Sequence, residues 1–218
     1  MQIPILYCTS VICGFCMMAL EMMGGRFLQP VFGTGIDVWC AIISVFILSL
    51  SVGYVLGGRI ADRFHTNRAL AWVILIAGCY YLLLPIFARP ATDAFGEAMH
   101  GSTVGSLVAA LVLFLPPSLL LGCVSPMLVK LVFDLPERIG RITGTLYAIG
   151  SVGNVLGTLT AVYVLLWLFS LNANMIGMGV ILCLTALLHF YKPMTSRSPA
   201  VVEAMQPAAL DTIAEGTA

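Results

Sequence analysis

One carboxylate stands inside an otherwise uncharged run near the N-terminus: Glu21, toward the far end of the stretch from Ile3 to Met23. An ionisable side chain at such a place is costly and tends to face a counter-charge or a watery cavity. Glu21 is therefore a candidate for meeting a substrate or for passing a proton. Arg26 is the obvious counter-charge, and an interfacial ion pair that fixes the first loop is the alternative role for both. Asn154 is a second polar group in an apolar run, and its amide can either cross-link helices or meet a ligand. A third set, Arg59, Asp62 and Arg63, surrounds the order Gly-x-x-x-Asp-Arg that starts at Gly58. Its chemistry is electrostatic, either gating and docking or plain anchoring of a span. Cys13-Gly14-Phe15-Cys16 has redox or zinc spacing, but no second Cys or His pair accompanies it, so its thiols read as small apolar packing groups. Glu97 and His100 are two ligands in a polar loop, too few for a metal. Neither a metal nor a cofactor is expected.

The elements that position these groups follow from composition. The 218 residues are 60% hydrophobic and 9% charged, which excludes a soluble domain. Mean hydropathy is +1.03. The apolar runs are continuous rather than alternating, which excludes an outer-membrane barrel. Ten basic and ten acidic residues give a net charge of zero, so no basic face invites nucleic acid. The expected fold is all-α, an integral membrane bundle of six transmembrane helices in contact with the lipid bilayer.

The spans read in order as follows. The first ends near Met23, with Gly24, Gly25, Arg26 and Pro30 breaking it into a loop; the second is Val38 to Leu56, uncharged, with Ser49, Gly53 and Gly57 on one close-packing face. The third is Ala69 to Ala88, bent or ended by Pro85, and a polar loop from Pro90 to Thr103 follows. The fourth, Val104 to Val132, is interrupted by Pro116, Pro117 and Pro126, whose orphaned carbonyls need other donors. The fifth, Ile142 to Phe169, lines up Gly150, Gly153, Asn154 and Gly157 on a close-contact side; the sixth is Ala173 to Tyr191. No internal repeat is visible, because the hinge after the second span has no match after the fifth.

Six spans put both termini on one side. Eight Lys and Arg residues fall there, against Arg26 and Arg89 on the other, which predicts cytoplasmic termini. Residues 1–194 form the membrane domain, and 195–218 are expected to be a disordered cytoplasmic tail.

Several of these segments together resemble the membrane domain of the bacterial fused major-facilitator/spermidine synthase-like family. The residues that carry the resemblance are Glu21 with Arg26 and Phe32-Gly33, then Gly53, Gly57-Gly58-Arg59 and Ala61-Asp62-Arg63. Leu115 to Gly122 with Pro126, and Gly144 to Ile149 followed by Gly153 and Gly157, continue it. Relatives commonly carry an Asn where this chain has Gly150; here the amide comes one turn later, at Asn154. The resemblance implies a bacterial inner-membrane location and amine chemistry. Fused relatives continue into an aminopropyltransferase domain, whose glycine-rich loop has no counterpart after Thr195, so this chain alone is not expected to be an enzyme. The hinge also resembles the loop between the second and third helices of major facilitator transporters. Carried over, Asp62 would dock against a second copy or another protein, with Arg63 as its cationic neighbour.

The leading functional expectation is a non-catalytic membrane subunit that tethers a separate soluble aminopropyltransferase or handles polyamine-like amines. A half-size transporter of a small organic solute, working as a homo-oligomer, is one alternative. A structural subunit of a larger membrane complex is the other.

Overall fold

The computed structural model of the protein describes residues 3–64, 66–99, 102–132 and 139–191. Lipid offers the main chain no hydrogen-bond partner, so each apolar run closes its own N–H and C=O groups as a helix. The protein is an all-α membrane bundle: among the described residues there are six helices long and apolar enough to cross a bilayer, and no strand. They are α1 (Ile3–Phe32), α2 (Ile36–Arg63), α3 (Asn67–Ala98), α4 (Thr103–Val132), α5 (Ile139–Thr160) and α6 (Leu171–Tyr191). α5 runs on through a wider π turn, Ala161–Leu165, into a last turn, Leu166–Leu168. The expected tail, 195–218, and His100 lie outside the described residues.

Three helices run past their expected ends: α2 continues from Leu56 to Arg63, so the charged residues expected in a hinge are its last helical turns, and α1 and α3 run on as well. α1 does not break at Gly24-Gly25, and Arg26 sits on the helix rather than in a loop. Glycine is tolerated in membrane helices where it admits a neighbour, and a Cβ at Gly24 would lie 3.3 Å from the Phe114 ring. The true stop is Gly33, at φ +80, whose N–H bonds Gln29 O at 3.0 Å in a left-handed cap that glycine adopts without strain. α3 likewise passes through Pro85 and Pro90 to Ala98, so most of the expected polar loop is helix, with Glu97 on its exposed side.

α4 is continuous through three prolines, and for the first two another group replaces the missing donors. A proline leaves the carbonyl four residues back without its partner. For Pro116 and Pro117 those carbonyls are Val112 O and Leu113 O, and the Tyr80 hydroxyl of α3 lies 3.1 Å from the first and 3.2 Å from the second. One phenol from a neighbouring helix thus serves both. Ser118 Oγ adds a bond to Phe114 O at 2.5 Å.

The helices pair as α2 on α4, α1 on α5 and α3 on α6, with α4 also packed against α3 and against α1 at the centre. Close backbone approach sets each pairing. Gly53 sits on Leu119 and Gly122, and a Cβ on Gly57 would lie 2.5 Å from Cys123 Cα. Gly153 and Gly157 press in the same way on the backbone of Val11 and Phe15, while Gly78 and Gly179 face each other between α3 and α6. Exchanging α1 with α4, α2 with α5 and α3 with α6 turns this pairing into itself.

Candidate functional site

Between α1, α2, α4 and α5 lies a cavity of about 140 Å³, lined by Ser10, Gly14, Tyr54, Ser125, Tyr147 and Asn154 among others. These polar linings are neutral hydrogen-bonding groups set among Cys, Met and Leu side chains. α5 brings Asn154 here because Gly150, Gly153 and Gly157 hold it hard against α1. Gly14 leaves the room: a Cβ there would lie 2.6 Å from Asn154 Oδ1. The Asn154 backbone carbonyl accepts from Thr158 Oγ1 at 3.0 Å, but its side-chain amide makes no hydrogen bond among the described residues. An unsatisfied amide on a cavity wall is free to bind a ligand or a water.

Glu21 is on the same stripe of α1 as Ser10, Gly14 and Met17, spaced by four, three and four residues. It is only 9% exposed, and among the described residues its carboxylate has no hydrogen bond and no ion pair. Arg26 does not partner it. Five residues separate the two, which turns the second side chain by about 140° around the helix. Arg26 is exposed and lines a different pocket, with Arg89 and Asp93, where α6 begins.

Arg59, Asp62 and Arg63 are all exposed at the last turns of α2. Asp62 has a partner within the chain: Lys130 Nζ donates to Asp62 Oδ1 at 2.6 Å. α2 and α4 pack along their lengths, so their ends meet. The Arg63 guanidinium lies 5.7 Å from the neighbouring Phe64 ring, which is local stacking. The three charged residues therefore sit at the opposite end of the bundle from Arg26. Cys13 and Cys16 are buried free thiols in the core, and among the described residues no group of three or more His, Cys, Asp or Glu could hold a metal.

The sequence reading passed over one buried polar cluster. His189, 1% exposed near the end of α6, has Nδ1 at 2.7 Å from Asn67 Oδ1 and Nε2 at 2.8 Å from Thr9 Oγ1. Asn67 Nδ2 donates back to the His189 carbonyl at 2.9 Å, clamping that residue at two points. The Asn67 oxygen only accepts, so Nδ1 carries a hydrogen and Nε2 is the variable nitrogen. Thr9 Oγ1 is also 2.9 Å from Ile5 O, so its single hydrogen can turn to Nε2 or to that carbonyl. The cluster ties α1, α3 and α6 together. A histidine within an otherwise apolar run was the signal that could have found it.

Compared with protein-family models, with curated proteins and with solved structures, the chain matches none.

Proposed function

We propose that this chain is a membrane subunit that binds a small amine-bearing solute within the bundle, with Glu21 taking the cationic nitrogen or an exchanged proton and Asn154 supplying a neutral contact. The observation that carries this reading is Glu21 itself, a buried carboxylate without a partner among the described residues of a membrane bundle. Ser10, Gly14 and Met17 of its stripe line the cavity, and Glu21 lies one helical turn beyond them, outside the lining itself. The resemblance to the spermidine synthase-like membrane domain supports an amine as the solute, and a soluble aminopropyltransferase as the partner that makes or uses it. Such a subunit would lie in a bacterial inner membrane, with the Asp62 end of the bundle, rich in Lys and Arg, in the cytoplasm.

A second reading is favoured by the exchange pattern of helix pairs. Transporter folds are commonly built from two three-helix repeats around a central site, and a six-helix half of this kind would translocate a solute as a homodimer. One experiment serves both. Protein in liposomes is tested for binding and flux of spermidine, alone and with any aminopropyltransferase that co-purifies from its native membrane. Loss of one charged contact costs about 1.5–3 kcal/mol, so Glu21→Gln is expected to weaken binding by about tenfold or more. Unchanged binding in Glu21→Gln defeats the amine-site reading; binding without flux supports the subunit over the transporter.

A further inference from the structure

At the end of the bundle where α6 begins, a pocket of about 340 Å³ is lined by Arg26 from α1, by Arg89, Thr92 and Asp93 from α3, by Ser170 just before α6 and by Asn172 in its first turn. Two cations and one anion therefore converge from two helices, with neutral polar groups added where α6 begins. Among the described residues none of Arg26, Arg89 and Asp93 is in an ion pair, although ionised side chains at a low-dielectric boundary gain most from being paired. The pocket floor is already spoken for: Thr92, 2% exposed, donates its hydroxyl to Arg89 O at 2.9 Å. The charged tips are what remains open.

The depth of the pocket can be read from helix lengths. α6 has 21 residues, and at 1.5 Å each it spans about 32 Å, close to the hydrocarbon thickness of a bilayer. Its first turn, and with it Ser170 and Asn172, stands at the lipid headgroups. α1 and α3, with 30 and 32 residues, are longer and project beyond that level, which leaves Arg26 and Arg89 within their shafts rather than at their tips. Exposed Trp39 and Trp167 lie at the same end, where amphipathic aromatic rings favour the interface.

We propose that this pocket is a headgroup site for an aminophospholipid, the phosphate held by the forked donors of Arg26 and Arg89 and the primary amine by Asp93. Guanidinium pairs suit phosphate oxygens. An acidic side chain in the same pocket would repel a purely anionic headgroup, and a primary ammonium offers it three donors that a quaternary one lacks. The charge pattern thus selects phosphatidylethanolamine over phosphatidylglycerol and phosphatidylcholine.

The test is native mass spectrometry of the full chain, released from detergent after exposure to equal amounts of these three lipids. Wild-type protein is expected to keep phosphatidylethanolamine over either other lipid by about fivefold or more, and Arg26→Gln/Arg89→Gln to lose that retention. Asp93→Asn is expected to bring phosphatidylethanolamine down to the phosphatidylcholine level. Should the glutamine pair not fold, Arg26→Lys/Arg89→Lys keeps both charges but loses the forks, and a drop of about twofold or more is expected. Equal retention of the three lipids, or retention unchanged in the arginine variants, overturns the proposal. So does displacement of the lipid by millimolar inorganic phosphate, which would make free phosphate the ligand.

Discussion

Replacing Tyr80 with Phe removes one hydroxyl and almost no volume, yet that hydroxyl is the side-chain donor serving two carbonyls, Val112 O and Leu113 O. The donors these carbonyls would ordinarily have belong to positions 116 and 117, both proline. Hydrogen bonds between membrane helices are worth about 0.6–1.7 kcal/mol, and leaving a partner unsatisfied adds to that. Tyr80→Phe should therefore destabilise the bundle by about 1–2 kcal/mol, read as a lowered midpoint in SDS titration of protein in mixed micelles. The mechanism makes a sharper demand. In a Pro116→Ala/Pro117→Ala background the helix regains its own N–H donors, and the same Tyr80→Phe change should cost within about 0.5 kcal/mol of nothing. An equal cost in both backgrounds would refute the account and leave Tyr80 as ring packing against Phe87, whose centroid is 5.3 Å away.

Adjacent glycines at the end of α2 should respond with opposite signs. Gly57→Ala drives a Cβ into the Cys123 backbone and should cost about 1–3 kcal/mol, whereas Gly58 has open space around it and Gly58→Ala should stabilise by up to about 1 kcal/mol in the same titration. Thr9→Val removes the partner of His189 Nε2 at nearly constant volume and should cost about 1–2 kcal/mol, with faster hydrogen exchange at the start of α3. Lys130→Gln breaks an ion pair whose side chains are 37% and 72% exposed, so it should shift stability by less than about 1 kcal/mol, and by less still at high salt.

The span count was legible because hydropathy alone decides which segments leave water. Helix ends were not, because Gly24-Gly25 and Pro90 punctuate a soluble chain but only dent a helix whose alternative in lipid is an unpaired backbone. Asn154 could be placed on the close-packing side of the fifth span by counting residues from Gly150 and Gly157. Its cavity could not, since that depends on Gly14 in a helix far off in sequence. Glu21 was visible as a charge in an apolar run, but its separation from Arg26 needed the continuous helix. Without the break expected at Gly24, the two point to different faces.

The internal repeat was legible and was passed over, because it lies within the second and fifth spans rather than in the hinge that follows the second. Gly53 and Gly57 of α2 press on Leu119 and Cys123 of α4; Gly153 and Gly157 of α5 press on Val11 and Phe15 of α1. Gly122, which meets Leu50, falls where Gly14, which meets Gly150, falls in the other half. Two three-helix units thus use the same close approaches, and in α2 and α5 the same residues: Ser-Val-Gly-x-Val-Leu-Gly stands at 51–57 and again at 151–157, differing only at Tyr54 and Asn154. The correspondence also separates packing from chemistry. Tyr54 and Asn154 occupy equivalent positions, and both line the cavity. The step from Phe15 to Glu21 leads, from Cys123, to Val129. At that site one half is satisfied with a valine, so the packing of the unit does not require a carboxylate there. Glu21 is an asymmetric charge in a repeated scaffold, and its cost in lipid is borne by one half alone. If that carboxylate served packing, Glu21→Val should cost stability and leave binding in the liposome assay intact. If it binds the solute, the same change should abolish binding while leaving the bundle as stable as before or more so.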